Sequence, residues 1–335
     1  MKVDYQRLTI VLAILFGLGL AWLCIDIWPD WLTGILGRKK TFVSTILSGL
    51  TLGGIYFLVA SGFTLVFGLM RNVNLAHGTM YLLGGYIGYE VADRTGNWYF
   101  AACVAFLAVA MCGALLQVLV FRRMQGDDLR QTLVTIGISI IAADQMLAFW
   151  SGNTYQFQPP EWLYGAVQLP IITTVKSSGA EVFLKFPSYR LFVLGIAITI
   201  GIGLWLLLHK TRIGMMIRAG VDDPEMLQAS GINVNLIFVL VFSIGAGLAG
   251  FAGVIGGSAL SIAPGEDIRY LMASLVVVIV GGMGSVTGAA FGAIIIGLAE
   301  QIGLVYFPTY GVVLTFLIMI GVLAFRPQGL FGKEK

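Results

Sequence analysis

The chain has 335 residues, of which 58% are hydrophobic and only 11% charged, and its formal net charge is +3. Soluble domains carry about 25% charged residues, so this composition excludes a largely water-facing surface and predicts a polytopic membrane protein. The small net charge gives no indication of nucleic-acid binding.

Apolar runs of about 20 residues, the length that crosses a bilayer, recur along the chain. We read the first as a retained span, because its apolar run is longer than that of a signal peptide and no clear cleavage site follows. The second run is too long for one straight crossing, and the eighth is short. The predicted spans are 8–27, 43–70, 76–92, 98–121, 132–150, 189–208, 234–256, 268–283, 286–305 and 309–325. The sequence therefore predicts an all-α polytopic membrane protein of about ten spans, including broken or short helices.

Lysine and arginine set the expected orientation, because they are more frequent in cytoplasmic loops. With ten spans both termini share one side, which then holds twelve of these residues against eight on the other. The clusters at 122–130 and 210–218 both lie on the side with twelve. We therefore predict that both termini are cytoplasmic.

Residues 151–188 form the only long loop predicted on the extracytoplasmic side. Its prolines and aromatic residues favour a folded cap over a flexible linker. Such a cap could bind an outer partner or could simply close the bundle.

Polar or glycine-rich segments interrupt the apolar pattern at 71–86, "RNVNLAHGTMYLLGGY", and at 281–292, "GGMGSVTGAAFG". Helix ends at such breaks expose unpaired backbone groups, and broken segments in the two halves of a transporter tend to approach the substrate path. Spans 2–5 and 7–10 are accordingly candidates for an inverted repeat, and tight cytoplasmic turns are the alternative. The predicted path or break residues are Asn72, Asn74, His77, Gly282, Gly284, Ser285, Thr287 and Glu300.

His77 offers no catalytic triad and no metal-ligand set, because the only other histidine is more than 100 residues away. We predict no catalytic residue and no metal site. Asn72, Asn74 and His77 are interpreted as polar groups that satisfy the backbone freed at the break.

Asp144 and Glu300 are the two acidic residues that we place inside spans. A charge within the membrane is costly, so each is expected to face the bundle interior or a water-filled cavity. Proton coupling would make them relays of a secondary transporter, whereas pairing with other groups would make them structural or gating residues.

The motif "GAGLAG" at 245–250 satisfies the G-x-G-x-x-G pattern of dinucleotide-binding proteins. It lies inside an apolar run, with no strand before it and no acidic ribose partner after it. Its small residues at four-residue intervals predict close helix packing instead.

Residues 209–233, "HKTRIGMMIRAGVDDPEMLQASGIN", are predicted to form two short cytoplasmic helices, at 211–219 and from Pro224 to Ser230. The N-cap of the second helix would be Asp223, and Gly231 would end it in the left-handed conformation. A solvated connector and a coupling element for a separate motor subunit both fit. The candidate coupling residues are Arg212, Gly214, Arg218, Ala219, Asp222, Asp223, Ala229 and Gly231.

Four ordered motifs, spread over about 42–332, carry a resemblance to a known family. They are the glycine-rich second span with "NLAHG" (49–86), the arginine-to-"ASGIN" segment (212–233), "GGMGSVTG" within 276–300, and "FRPQGLFG" (325–332). Together they resemble the permease subunits of bacterial ABC importers for branched-chain amino acids, the LIV type.

The resemblance implies import of branched-chain or other hydrophobic amino acids across the bacterial inner membrane. It also implies a heterodimer with a second homologous permease, two ATPase subunits and a periplasmic solute-binding protein. Because related permeases carry urea or short amides, a permease of the same type for another small solute is one alternative. A proton-coupled secondary transporter is a further alternative.

The sequence supports this division of labour, because it contains no G-x-x-x-x-G-K-[ST] loop for ATP phosphates. We therefore expect a transport subunit without its own ATP site or cofactor, whose partner subunits use the ATP. A membrane-embedded enzyme ranks last, because no cluster of nucleophile, base and metal ligands occurs.

Overall fold

The computed structural model describes residues 38–70, 73–124, 127–175, 181–222 and 224–332. Within these ranges the chain forms eleven α-helices, three short 3₁₀ turns and one β-hairpin, so it is an all-α polytopic membrane protein. The helices are α1 (Lys39–Met70), α2 (His77–Thr95), α3 (Trp98–Leu119), α4 (Asp128–Trp150), α5 (Ser188–Lys210), α6 (Arg212–Asp222), α7 (Pro224–Ala229), α8 (Val234–Ala259), α9 (Glu266–Gly281), α10 (Val286–Tyr306) and α11 (Gly311–Phe325). The strands are β1 (Ala166–Val175) and β2 (Glu181–Pro187).

Nine of the ten predicted spans fall on described residues, and a helix occupies each of them. The predicted span at 8–27 lies outside the described residues. Among the described residues, six helices are long and apolar enough to cross a membrane, namely α1, α3, α4, α5, α8 and α10. The remaining three, α2, α9 and α11, are shorter or less apolar. The overlong second run does not divide: α1 is one helix of 32 residues, which makes it about 48 Å long at the usual rise per residue.

The bundle has two ends, which we name by what lies there. At the tail face, α6 and α7 pack near the end of α1, and the C-terminal segment 326–332 docks on the end of α9. At the cap face lies the antiparallel β1–β2 hairpin. Neighbouring residues of the 151–188 loop pair there with the segment after α8, through backbone hydrogen bonds between Tyr155 and Ile262. An ordered hairpin was not part of the all-α prediction, although a folded cap was expected here.

The helices follow an inverted repeat, as their contacts show. Helix α1 contacts α10 as α8 contacts α3, α2 contacts α3 as α9 contacts α10, and α2 contacts α4 as α9 contacts α11. Because α1 runs from the cap face to the tail face and α8 runs the opposite way, the two sets of helices are inverted relative to one another. The halves are thus α1–α4 and α8–α11, which correspond to the predicted spans 2–5 and 7–10.

The two breaks that the sequence suggested as partners are not equivalent in this repeat. The α1–α2 connection corresponds to the α8–α9 connection at 260–265, whereas the α9–α10 turn corresponds to the α2–α3 turn at Gly96 and Asn97. Both turns contain glycines with positive φ, at 96, 282 and 284. The next helix in each case starts with a side-chain cap, from Asn97 or Ser285. The sequence-based pairing of 71–86 with 281–292 was wrong because turns at the bundle ends and breaks inside the bundle are both rich in glycine and small polar residues.

Helices α2 and α9 both begin inside the bundle rather than at its ends. His77, the first residue of α2, contacts the carbonyl of Val59, eleven residues before the end of α1, or about 16 Å along that helix. A side chain at Gly78 would overlap the backbone carbonyl of Asp267, so the first turns of α2 and α9 touch. Broken helices that start side by side near the middle of a bundle are the arrangement that many transporters use around their substrate sites.

Glycines bring the crossing helices into backbone contact. A β-carbon added to Gly84 of α2 would overlap the Cα of Gly250 in α8, and one added to Gly62 of α1 would overlap the carbonyl of Gly245. Helix α8 continues unbroken through "GAGLAG", which confirms the prediction that this motif serves helix packing. In lipid, where apolar surface alone does not join helices, such close packing supplies much of the association energy.

Gly84→Ala should therefore destabilise the bundle, by about 1–3 kcal/mol for overpacking, and lower the thermal unfolding midpoint of the purified protein in detergent. The matched control is Gly203→Ala in α5, where an added β-carbon meets nothing within 4 Å. There alanine should be neutral or stabilising, by up to about 1 kcal/mol of helix propensity. Equal midpoints for the two variants would contradict the packing role of Gly84.

Candidate functional site

The segment at 209–233 forms two short helices, as the sequence predicted. Helix α6 extends to Asp222, three residues beyond the predicted end at 219, and α7 covers Pro224–Ala229. Asp223 lies outside the described residues, so its predicted capping role stays a prediction. Gly231 has φ +81°, which is the left-handed stop that the sequence predicted.

Helix α6 is clamped to the end of α5 by two of the predicted coupling residues. The Arg218 guanidinium donates a hydrogen bond of 2.6 Å from Nη1 to the carbonyl of Leu208, one of the carbonyls that α5 leaves unpaired at its C-terminus. At Gly214 a side chain would overlap the carbonyls of Leu207 and Leu208. A bulkier residue there would push the two helices apart.

The inner side of α6 and α7 is anchored to the transmembrane bundle. Ile217 and Leu227 are buried with Leu65 of α1 and with Ile237 and Val241 of α8. These contacts join the α6–α7 unit to one long helix of each half. A displacement of this unit would therefore be passed to both halves of the repeat.

The outer side of α6 and α7 is exposed and carries apolar as well as charged residues. Met215 of α6 is 55% exposed, and Ile213 of α6 and Met226 of α7 are exposed as well. Among the predicted coupling residues whose side chains are described, Gly214 is buried and the others are exposed, namely Arg212, Arg218, Ala219, Ala229 and Gly231. Exposed methionines surrounded by charged residues suit a protein-binding surface, because methionine adapts its shape to a partner.

The break between α1 and α2 is closed by polar side chains. The Asn74 Oδ1 accepts a hydrogen bond of 3.0 Å from the backbone N–H of Ala76, and Thr135 Oγ1 of α4 accepts one of 3.1 Å from Leu75 N. His77, only 1% exposed, donates from Nε2 to the Val59 carbonyl at 3.0 Å. Asn72 lies outside the described residues.

The turn between α9 and α10 brings together three of the sequence motifs at the tail face. Gly282 and Gly284 have positive φ, and the Ser285 side chain caps α10 by accepting a hydrogen bond from Gly288 N at 3.0 Å. The Ser285 hydroxyl also lies 3.1 Å from that of Thr287. Gly68 of α1 lies against Gly284.

The C-terminal motif "FRPQGLFG" completes this turn. The backbone N–H groups of Leu330 and Phe331 donate to the carbonyls of Val280 and Gly281, each at 2.9 Å. The Phe331 ring also stacks on Phe291 of α10. Three of the motifs that define the resemblance thus meet in one structure.

Glu300 lies in a buried polar cluster that links α1, α9 and α10. Its Oε2 accepts a hydrogen bond of 2.7 Å from the Tyr56 hydroxyl, and its Oε1 lies 3.4 Å from Nη2 of Arg269. Arg269 also pairs with Glu266 at 3.5 Å. A charged group in the bundle is acceptable only with such partners.

Two tyrosines extend the cluster towards α2 and α8. The Tyr81 and Tyr270 rings lie 4.0 Å apart between centroids, and the Tyr81 hydroxyl packs directly over Gly256 of α8. Both hydroxyl groups are buried. Sequence reasoning found only Glu300 in this cluster. Arg269 three residues after Glu266 at the start of a short span was the one signal that pointed to a second charged member.

Asp144 does not face the interior of this chain, which corrects the expectation stated above. It is exposed on α4, and only 11% of the apolar stretch of this helix is buried inside the chain. The acid therefore lies on the outer side of a helix that contacts the rest of the bundle along a narrow stripe. Asp144 and Glu300 thus occupy opposite settings, one exposed and one buried and paired.

The hydrogen bond between His77 and Val59 predicts how substitutions will behave. The free energy of unfolding of His77→Gln should lie within about 0.5 kcal/mol of the wild-type value, because a glutamine amide can donate from nearly the same place as Nε2. His77→Leu should lose about 0.5–1.5 kcal/mol, the usual net worth of one hydrogen bond. Chemical or thermal unfolding of the two purified variants measures this difference, and equal losses would contradict a role through this bond.

Comparison with known proteins gives a consistent result. A family model described as "Branched-chain amino acid transport system / permease component" matches residues 45–323. The chain is 30% identical over 306 residues to the high-affinity branched-chain amino acid transport system permease protein BraD of Pseudomonas aeruginosa, covering 88% of this chain and 97% of BraD. It is 27% identical to LivH of Escherichia coli K12, covering 88% and 96% of the two chains.

A second Escherichia coli K12 protein of the same named transport system, the permease protein LivM, is also similar. It is 26% identical over 298 residues, which cover 84% of this chain and 68% of LivM. No solved structure matches the chain. The matched region contains the inverted repeat, the α6–α7 unit and the buried cluster around Glu300. The chain therefore belongs to the family of branched-chain amino acid transport permeases.

Proposed function

We propose that this chain is a permease subunit of an ABC importer for branched-chain or other hydrophobic amino acids. It forms part of the substrate path and couples it to separate ATPase subunits. The observation that carries this proposal is the α6–α7 unit: an exposed surface with apolar and basic residues, anchored on its inner side to α1, α5 and α8. Such a unit is built to receive force from a partner and pass it into the bundle.

The tail face is then cytoplasmic, where ATP is available. Support comes from the positive-inside rule, since twelve of the twenty lysines and arginines fall on the side of the predicted termini, with the 122–130 and 210–218 clusters. The cap face with its β-hairpin is then outside, where a solute-binding protein would deliver the substrate. The assembly would be a heterodimer of homologous permeases with two ATPases and that binding protein in the inner membrane.

The setting of the two acids argues against a proton-coupled transporter. Glu300 is paired with Arg269 and Tyr56, whereas Asp144 lies exposed on another helix. The amino-acid substrate class rests on the relatives BraD and LivH. A similar chain, LsrC of Salmonella paratyphi B, is an autoinducer 2 import system permease, so the choice of solute needs its own test.

The substrate is tested by uptake into proteoliposomes that hold the purified complete complex with its binding protein. Radiolabelled leucine should enter only when ATP is supplied on the side of the membrane where the ATPase subunits are bound. Unlabelled isoleucine and valine should compete with it. Urea and acetamide should neither enter nor compete. Leucine uptake that needs a proton gradient and proceeds without ATP would contradict the proposal.

Met215→Asp tests the coupling surface. An acidic charge on the exposed outer side of α6, between Arg212 and Arg218, should weaken ATPase docking and lower ATP-driven uptake at least tenfold, while membrane insertion stays normal. The matched control is Met283→Asp, because Met283 is also 55% exposed at the tail face but lies in the α9–α10 turn. Wild-type uptake by the Met215 variant, or equal losses in both, would overturn the assignment of the coupling surface to α6.

A further inference from the structure

Four helices form a row along one side of the repeat. Helix α4 contacts α2, α2 contacts α9, and α9 contacts α11. The row thus contains the two helices that begin inside the bundle, flanked by the last helix of each half. Its exposed apolar side chains include Ile140 and Leu147 of α4, Ile268 and Met272 of α9, and Leu317 and Ile320 of α11.

Asp144 lies on the outward side of α4, six residues before the end of the helix. Thr135 marks the buried stripe of this helix, and Asp144 follows it by nine residues, which is about two and a half turns and so points the opposite way. A carboxylate in contact with hydrocarbon is costly, by about 2.5–3.5 kcal/mol at the centre of a spanning helix. The outward side of α4 therefore does not face lipid at this level.

Arg269 places the opposite charge in the same row. Its side chain is 45% exposed although it pairs with buried Glu300. Glu300 lies six residues before the end of α10, and Asp144 lies six residues before the end of α4, so each is about 9 Å from the cap-face end of its helix. An exposed acid and an exposed base thus occur at a similar depth on neighbouring parts of one row.

The other widely exposed helices lack this feature. The large exposed residues in the middle of α3 and α5, namely Leu107, Met111, Ile198 and Ile202, are apolar, and the exposed Thr199 hydroxyl donates to the Gly195 carbonyl of its own helix. Helix α3 contains no charged residue, and in α5 Arg190, His209 and Lys210 lie towards the ends. Helices α3 and α5 are therefore suited to lipid, and the row of α4, α2, α9 and α11 is not.

We propose that this row is the surface on which the second permease subunit packs, and that Asp144 and Arg269 face the polar space enclosed between the two subunits. The partner is a homologous but different chain, as LivH and LivM are in Escherichia coli. A surface carrying both charges can meet a related surface across a pseudo-twofold axis, because an acid of one subunit can then approach a base of the other. The inference rests on the proposed function.

Photocrosslinking in membranes that hold the complete transporter tests the surface. We would introduce p-benzoylphenylalanine at Leu147 or Ile320 in the row, and at Leu107 or Ile202 as controls of similar exposure. The row positions should give an adduct with a second permease, identified as a family member by mass spectrometry, and the controls should not.

The outcomes separate this inference from the proposed function. Adducts with the permease from α3 or α5 but not from the row would overturn the inference, while the importer itself stands. An adduct between two copies of this chain would overturn the choice of a different partner chain. Purification of a transport-competent single protein without any second permease would overturn the proposed function.

Substitution of Asp144 provides an independent readout. Asp144→Leu should lower uptake by the complete transporter at least tenfold, and Asp144→Asn should lower it less, because the amide keeps a polar contact. Membrane insertion and retention of the second permease in the purified complex are measured alongside. Wild-type uptake by Asp144→Leu, the result expected of a position facing lipid, would contradict the proposal.

Discussion

The hydrocarbon core of a bilayer offers no hydrogen-bond partner, so backbone groups that leave a helix there must be paired by the chain itself. The constraint is met by side chains at the start of α2, which lies inside the bundle: Asn74 and Thr135 accept hydrogen bonds from the backbone N–H groups of Ala76 and Leu75. At the ends of the bundle, Asn97, Asn233 and Ser285 cap α3, α8 and α10 in the same way.

The second consequence is that the interior is assembled from backbone contacts rather than from large side chains. Glycines at the crossings of α1, α2 and α8 let the backbones touch, and the few large polar groups gather where the two halves meet. The cluster of Tyr56, Arg269 and Glu300 joins both halves at the level where α2 and α9 start. Close backbone packing and polar pairing therefore both hold the two halves of the repeat together.

Much of this fold follows from local sequence. There is a physical reason why the other parts could not be predicted from it. Nine apolar runs predicted nine helices, and Pro224 and Gly231 predicted the bounds of α7 closely, because span length and helix stops are encoded within a few residues. The pairing of Glu300 with Tyr56 joins residues 244 positions apart, and no local pattern reports such a distance. The exposure of Asp144 was missed for the same reason, since a helix sequence does not say which of its sides meets its own chain.

The docking of segment 326–332 on α9 has a consequence for biosynthesis. The carbonyls of Val280 and Gly281 are hydrogen-bonded by Leu330 and Phe331, which are made about 50 residues later. At the usual rate of 5–20 residues per second, translation needs roughly 3–10 s to supply them. During that interval α9 and α10 can insert, yet the end of α9 lacks its final partners. The bundle is therefore closed from its C-terminal end, by the last residues of the described chain to leave the ribosome.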